Sequence, residues 1–171
     1  MAQLNCIVGI DPGRSGGIAI WTDSGVEVHK MPATEMDMYS ILCHIPGSTR
    51  TGCGAVAFVE KVHASPQMGV VSAFKFGRSV GEIHMMCIAL GMRLEYVTPQ
   101  KWQKHFGLIL SGRGLGQRNT DKKNRNKARA QELFPGIKCT HATADALLIL
   151  EYGRQQYRLN PYLDETSKCE K

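Results

Sequence analysis

Three apolar runs lie far apart in this chain, and each one borders a carboxylate. Leu4–Ile10 leads into Asp11, Ala55–Val59 leads into Glu60, and Asp145 stands immediately before Ala146-Leu147-Leu148-Ile149-Leu150. Short runs with no polar alternation belong to segments covered on both faces, as in the interior strands of a sheet that carries helices on either side. A charge beside such a segment is expensive unless it is paired or neutralised. The chain must therefore build a covered sheet and tolerate acids at its margin, and a cation shared among the acids is the simplest means.

The intervening segments supply the rest of such a fold. Leu4–Ile10 reads as a buried strand ending at the turn Asp11-Pro12-Gly13. Gly16–Thr22 is a second strand, and Asp23-Ser24-Gly25 turns it into a third, Val26–Lys30. A short helix over Glu35–Ile45 precedes the strand Ala55–Glu60. Gly69–Leu90 is helical, with Phe74, Gly77, Val80, Gly81, His84 and Ile88 along one side. Leu94–Val97 is a strand, and Pro99 suits the first turn of a helix running through Phe106. Leu108–Asn119 is a glycine-rich loop, Asp121–Phe134 a basic helix stopped by Pro135-Gly136, and Ala142–Tyr157 the last helix. The expected architecture is α/β, a mixed five-stranded sheet flanked by helices. It occupies one domain over residues 1–158, with a polar C-terminal tail over 159–171.

Composition narrows the chemistry. A net charge of +6 on 171 residues and a pI near 9.1 favour a polyanionic partner. Six cysteines occur without a CxxC pair or zinc-like spacing, so they read as reduced thiols in a reducing compartment. The N-terminal apolar run is too short to span a bilayer. Together these features suggest a cytoplasmic protein, or one carried into a host cytoplasm, without a membrane partner.

If the first and fourth strands are neighbours, Asp11 and Glu60 meet at one sheet edge, and Asp145 can complete an anionic pocket. Magnesium fits such a pocket, because it takes hard oxygen ligands and joins a few carboxylates to substrate phosphate. Such ions can activate water and stabilise the leaving oxygen in phosphodiester cleavage. Taken singly, each acid also has a plain reading: a turn former at Asp11, a solvated strand end at Glu60, a partner of the helix dipole at Asp145. His141 lies four residues before Asp145, so on a continuous helix the two share a face. It is open to metal binding, proton transfer or a structural hydrogen bond.

Basic residues gather nearby. Arg113, Arg118, Lys122, Lys123, Arg125, Lys127 and Arg129 face the single acid Asp121 in that stretch, a density suited to phosphate contacts or to a solvated helix. Lys75, Arg78, Lys101 and Lys104 are further candidates for DNA contact. Phe74 and Phe76 are open to stacking on an unpaired base or to core packing. Gly77 and Gly81, one helical turn apart, allow close approach of another backbone, from a second copy or from the protein's own sheet.

Five short motifs in order carry a family resemblance. Gly9-Ile10-Asp11-Pro12-Gly13 with Ser15-Gly16, Phe58-Val59-Glu60, and His141-Ala142-Thr143-Ala144-Asp145-Ala146-Leu147-Leu148 resemble the three motifs of RuvC-type Holliday junction resolvases. Phe74-Lys75-Phe76-Gly77-Arg78-Ser79-Val80-Gly81 and Val97-Thr98-Pro99-Gln100-Lys101-Trp102 are similar to the phage and bacterial RuvC-like subgroup. The resemblance runs from about Leu4 to Tyr152. It implies a ribonuclease H-like fold, a homodimer, Mg²⁺ with Mn²⁺ able to substitute, and paired symmetric nicks in a four-way DNA junction. By motif, Asp11, Glu60 and Asp145 become catalytic metal ligands with His141 as the fourth residue. The chain departs from bacterial RuvC in that Ala142 stands three before the last aspartate, where an acid or histidine is common. Two other readings share the same residues: a flap or fork nuclease on this fold, and a junction-binding module without catalysis.

Overall fold

In the computed structural model, residues 6–45, 48–49, 52–63, 65–109 and 119–159 are described. Five strands form the main sheet: β1 (Cys6–Asp11), β2 (Gly17–Thr22), β3 (Gly25–Lys30), β6 (Ala55–Glu60) and β7 (Arg93–Val97), in the order β3-β2-β1-β6-β7. A separate two-stranded ribbon, β4 (Ser48–Thr49) with β5 (Gly52–Cys53), was not expected from the sequence. The helices are α1 (Glu35–Leu42), α2 (Val70–Ala89), α3 (Pro99–His105), α4 (Asn119–Leu133) and α5 (Ala144–Leu159). β1, β2 and β3 pair antiparallel, whereas β6 runs parallel to both β1 and β7. The mixed five-stranded sheet flanked by helices is therefore the observed fold.

Side-chain alternation divides the sheet into two buried faces. Ile7 on β1 and Val56 and Phe58 on β6 join one core with Leu147, Leu148, Ile149 and Leu150 of α5, Trp102 of α3 and Ala130 of α4. Cys6, Val8 and Ile10 of β1 and Ala55, Ala57 and Val59 of β6 join a second core with Met38 and Leu42 of α1 and Ile83 and Cys87 of α2. Both layers are needed to cover strands that are apolar at every position. Each large aliphatic side chain so buried contributes about 1.5–3 kcal/mol of burial free energy.

The same alternation fixes where the acids point. The last pair of the β1–β6 ladder is Ile10↔Val59, so Asp11 and Glu60 stand side by side one residue beyond it. Counting by twos, Asp11 follows Ile7 and Gly9, and Glu60 follows Val56 and Phe58. Both carboxylates thus belong to the face covered by α5. The helix lies close to the strand there: a Cβ on Gly9 would sit 2.4 Å from the Leu150 nitrogen and 2.5 Å from the Ala146 carbonyl oxygen.

Candidate active site

Asp11 ends β1, Glu60 ends β6, and Asp145 occupies the first turn of α5. The loop after β1 is closed by Gly16, whose N–H donates to the Gly13 carbonyl over 2.9 Å. A Cβ at Gly16 would meet the Asp11 carbonyl oxygen at 2.0 Å, so only glycine lets this loop fold back onto Asp11. One residue on, a Cβ at Gly17 would meet the Ala142 carbonyl oxygen at 2.8 Å. The turn that enters α5 therefore rests against the start of β2, and this docking brings Asp145 to the acidic edge.

The three carboxylates share one electrostatic environment. Burial pushes the Asp11 carboxyl up to about 8, and repulsion from Glu60 and Asp145 adds to it, against the pull of Lys123 and Lys122. Burial also raises Glu60; Asp145 adds repulsion, while Trp102 and Lys122 oppose it. Asp145 is raised by burial too, opposed by Asn126, Lys122 and Lys123. Lys122 acts on all three acids, which places the start of α4 over the cluster.

Two neutral donors hold the outer carboxylates. Trp102 is fully buried, and its Nε1–H donates to Glu60 Oε1 over 2.9 Å. Glu60 pairs with Val97 of β7, and the next residue, Thr98, caps α3 through its hydroxyl, with Pro99 in the first turn. That cap aims α3 so that Trp102, one turn later, reaches back to the end of β6. Asn126 of α4 is 1% exposed, and its Nδ2 donates to Asp145 Oδ1 over 2.8 Å. Reading the sequence missed both residues as site components. Their signals were an indole that closes the Val97–Trp102 motif in an otherwise polar helix, and an amide inside a basic run.

His141 requires a correction. α5 begins at Ala144, so His141 is not one helical turn ahead of Asp145 on a continuous helix. Thr143 Oγ1 accepts from the Thr140 N–H at 3.0 Å, and the Thr143 and Ala144 N–H groups donate to the Thr140 carbonyl, closing a turn over these residues. His141 is exposed on that turn, its Nε2 3.0 Å from Asn124 Oδ1. Among the described residues, no three His, Cys, Asp or Glu side chains surround a common point closely enough to hold an ion. The candidate ligands in the cluster are nevertheless all hard oxygens: three carboxylates raised by burial, two of them also by a neighbouring acid, and the Asn126 carbonyl. That chemistry suits Mg²⁺ or Mn²⁺ rather than a thiophilic ion.

The basic residues separate by environment. Lys122 and Lys123 are exposed beside the acids, while Arg125 and Lys127 are half-buried along α4. Lys101 and Lys104 are exposed on α3, with the Lys101 ammonium 6.0 Å from the Tyr152 ring centroid. Arg113 and Arg118 lie outside the described residues. Arg78 is drawn into an ion pair with Glu35, which ties α2 to the start of α1, and into a second with Glu82 within α2. Lys75, with Arg14 and Arg78, lines a groove of about 550 Å³ between those helices.

The outward side of α2 also becomes clear. Ile83 and Cys87 face the sheet, and the stripe of Phe74, Gly77, Gly81 and Ile88 does not. Phe74 is 73% exposed and Ile88 58%, and nothing lies within 4 Å of a Cβ built at Gly77 or Gly81. Core packing is thus ruled out for Phe74. Phe76 instead lies half-buried, its ring edge 3.3 Å from a Cβ built on Gly13.

Comparison with solved structures places this architecture. Thermus thermophilus RuvC, solved in complex with a Holliday junction substrate, superposes with a TM-score of 0.58 at 15% identity, over 91% of this chain and 96% of that one. The chain has a RuvC-type fold. A second structure of Thermus thermophilus RuvC gives a TM-score of 0.57 at 16% identity, with the same coverage. The yeast mitochondrial Holliday junction resolvase Ydc2 gives 0.44 at 14% identity, over 96% of this chain and 84% of that one. No protein-family model and no curated protein sequence matches the chain. Among the described residues, no helix of this RuvC-type fold is long and apolar enough to cross a membrane.

Proposed function

We propose that this chain is a divalent-cation-dependent DNA endonuclease that resolves four-way junctions by paired, symmetric nicks. The observation that carries this reading is that Asp11 and Glu60 stand side by side at the ends of β1 and β6, with Asp145 near enough to act on both, beside Lys122 and Lys123. Three crowded, half-buried carboxylates repel one another without a cation, and two lysines at the rim suit a phosphate that must approach them. The fold shared with RuvC, a protein solved on a Holliday junction, is consistent with a branched DNA substrate.

In this mechanism Asp11, Glu60 and Asp145 would hold Mg²⁺, with Mn²⁺ as substitute. A bound cation supplies charge stabilisation at the phosphate and favours the hydroxide form of an attacking water. Lys122 and Lys123 hold the DNA backbone over the cluster, with Lys101, Lys104, Arg125 and Lys127 along its approach. Lys75 lines the groove between α1 and α2, and Arg78 acts chiefly as the brace between those helices. His141, exposed at the rim, is assigned to proton transfer rather than to the ion, because its Nε2 faces Asn124. Symmetric nicking needs two related sites, which the outward stripe of α2 serves by pairing with a second copy of itself. Phe74, at the end of that stripe, is the aromatic available for stacking on an unpaired base.

The test is nicking of a synthetic immobile four-way junction, with cut positions mapped on all strands. The expected result is a pair of cuts related by two-fold symmetry in Mg²⁺, with Asp11→Asn binding the junction and leaving it intact. Cleavage confined to flaps or forks would move the assignment to another branched substrate. Binding without cleavage in either Mg²⁺ or Mn²⁺ would leave a junction-binding module.

A further inference from the structure

Two of the three acidic side chains have a fixed neutral partner, and the partners come from helices with no acid of their own in the cluster. Trp102 of α3 donates to Glu60 over 2.9 Å, and Asn126 of α4 donates to Asp145 over 2.8 Å. Both partners are sealed from solvent, at 0% and 1% exposure. An ammonium or guanidinium at either place would neutralise its carboxylate and compete with a cation. An indole and an amide restrict the carboxylate's rotation and leave its full charge available. The amide orientation of Asn126 is settled by its partner, since the flipped form would set a carbonyl oxygen against a carboxylate. Asn126 Oδ1 is then a buried carbonyl oxygen with no donor among the described residues. Leaving such an atom unsatisfied is costly in a merely structural amide, and less so beside a site that takes a hydrated ion.

We infer that Trp102 and Asn126 are positioning residues that orient Glu60 and Asp145 for a divalent cation. This rests on reading the acidic cluster as a cation site, and the experiment separates the two claims. Binding of Mn²⁺ alone, without DNA, is measured by electron paramagnetic resonance for the wild type, Asp11→Asn, Trp102→Phe, Asn126→Ala and Asn126→Ser. Loss of either donor is expected to weaken Mn²⁺ binding by about 10- to 100-fold, the usual effect of removing a ligand's hydrogen-bond partner. The serine variant, which keeps a donor, should recover part of the loss.

A second measurement needs no variant of either residue. The two tryptophans give two indole N–H resonances, told apart with Trp21→Phe, and the Asn126 side-chain amide gives a third signal. Titration of the wild-type protein with Mg²⁺ should move the Trp102 and Asn126 signals and leave Trp21 in place. Wild-type protein that binds no Mn²⁺ would remove the cation reading and this inference with it. Wild-type binding lost in Asp11→Asn but unchanged in Trp102→Phe and Asn126→Ala would overturn the positioning role alone. If those variants fail to fold, unmoved indole and amide signals in the wild type have the same consequence.

Discussion

Gly9 of β1 packs directly beneath Leu150 of α5, so close that a single methyl group would fall 2.4 Å from the helix backbone. The obstruction is main chain, which cannot rotate aside as a side chain can. Gly9→Ala is therefore expected to push α5 off the sheet and destabilise the fold by about 1–3 kcal/mol, the usual cost of overpacking. Chemical denaturation would read this, and nicking should fall as well because Asp145 rides on the displaced helix. A variant with unchanged stability would mean that α5 does not seat on β1 at this glycine.

The raised Asp11 carboxyl makes stability depend on pH and on metal together. An unfolded aspartate titrates near its ordinary 3.8, and in the fold Asp11 is pushed up to about 8. The folded protein thus holds this proton more tightly than the unfolded chain. Its contribution is complete below the unfolded value and is lost as pH rises through the folded one. Metal-free protein should melt at progressively lower temperature between about pH 5 and pH 8, as this linkage requires. Mg²⁺ competes with the proton, so the rise in Tm on adding it should be larger at the alkaline end. Melting curves in chelator and in Mg²⁺ would check both slopes, and a metal-induced rise that shrinks with pH would contradict the linkage.

Lys122 acts on all three acids, and Lys123 on two. If both contact phosphates, Lys122→Gln with Lys123→Gln should weaken junction binding similarly for any sequence. It should also flatten the dependence of log affinity on log salt by about 0.9 per lost contact. Fluorescence anisotropy across a salt series measures this. An unchanged slope would assign the two lysines to the carboxylates alone.

The outward stripe of α2 leads to a prediction about assembly. Phe74, Gly77, Gly81, Met85 and Ile88 present an apolar face that no element of this chain covers among the described residues. If the proposed dimer forms through this stripe, a charged side chain at its centre, as in Gly81→Arg, should convert it to monomer in analytical ultracentrifugation, and nothing within 4 Å of a Cβ at Gly81 stands in the way inside the protomer. A wild-type monomer would end the symmetric-nicking reading. A dimer that survives Gly81→Arg would move the interface elsewhere.

How much of this was legible beforehand depended on distance along the chain. The strands and the acids at their ends were readable because alternation and apolar runs are local patterns, and the five-strand sheet follows from them. The α2 stripe was visible as a period, but not its direction, because a stripe of phenylalanine, glycine and isoleucine suits a core as well as an interface. The entry to α5 was misplaced by two residues, since a turn closed by Thr140 and Thr143 looks helical in composition. Trp102 and Asn126 meet their carboxylates across 42 and 19 residues of sequence, and no spacing rule spans such gaps.

The strand order has a consequence for synthesis. Asp11 and Glu60 stand on strands that pair in parallel, but the third acid, Asp145 on α5, is synthesised only after all five strands of the main sheet. A domain of this kind completes its fold only once that last helix can dock. The nascent chain therefore holds the whole sheet before it can assemble the cluster, and a product truncated before residue 145 would carry the basic residues of α4 without the third acid of the proposed site.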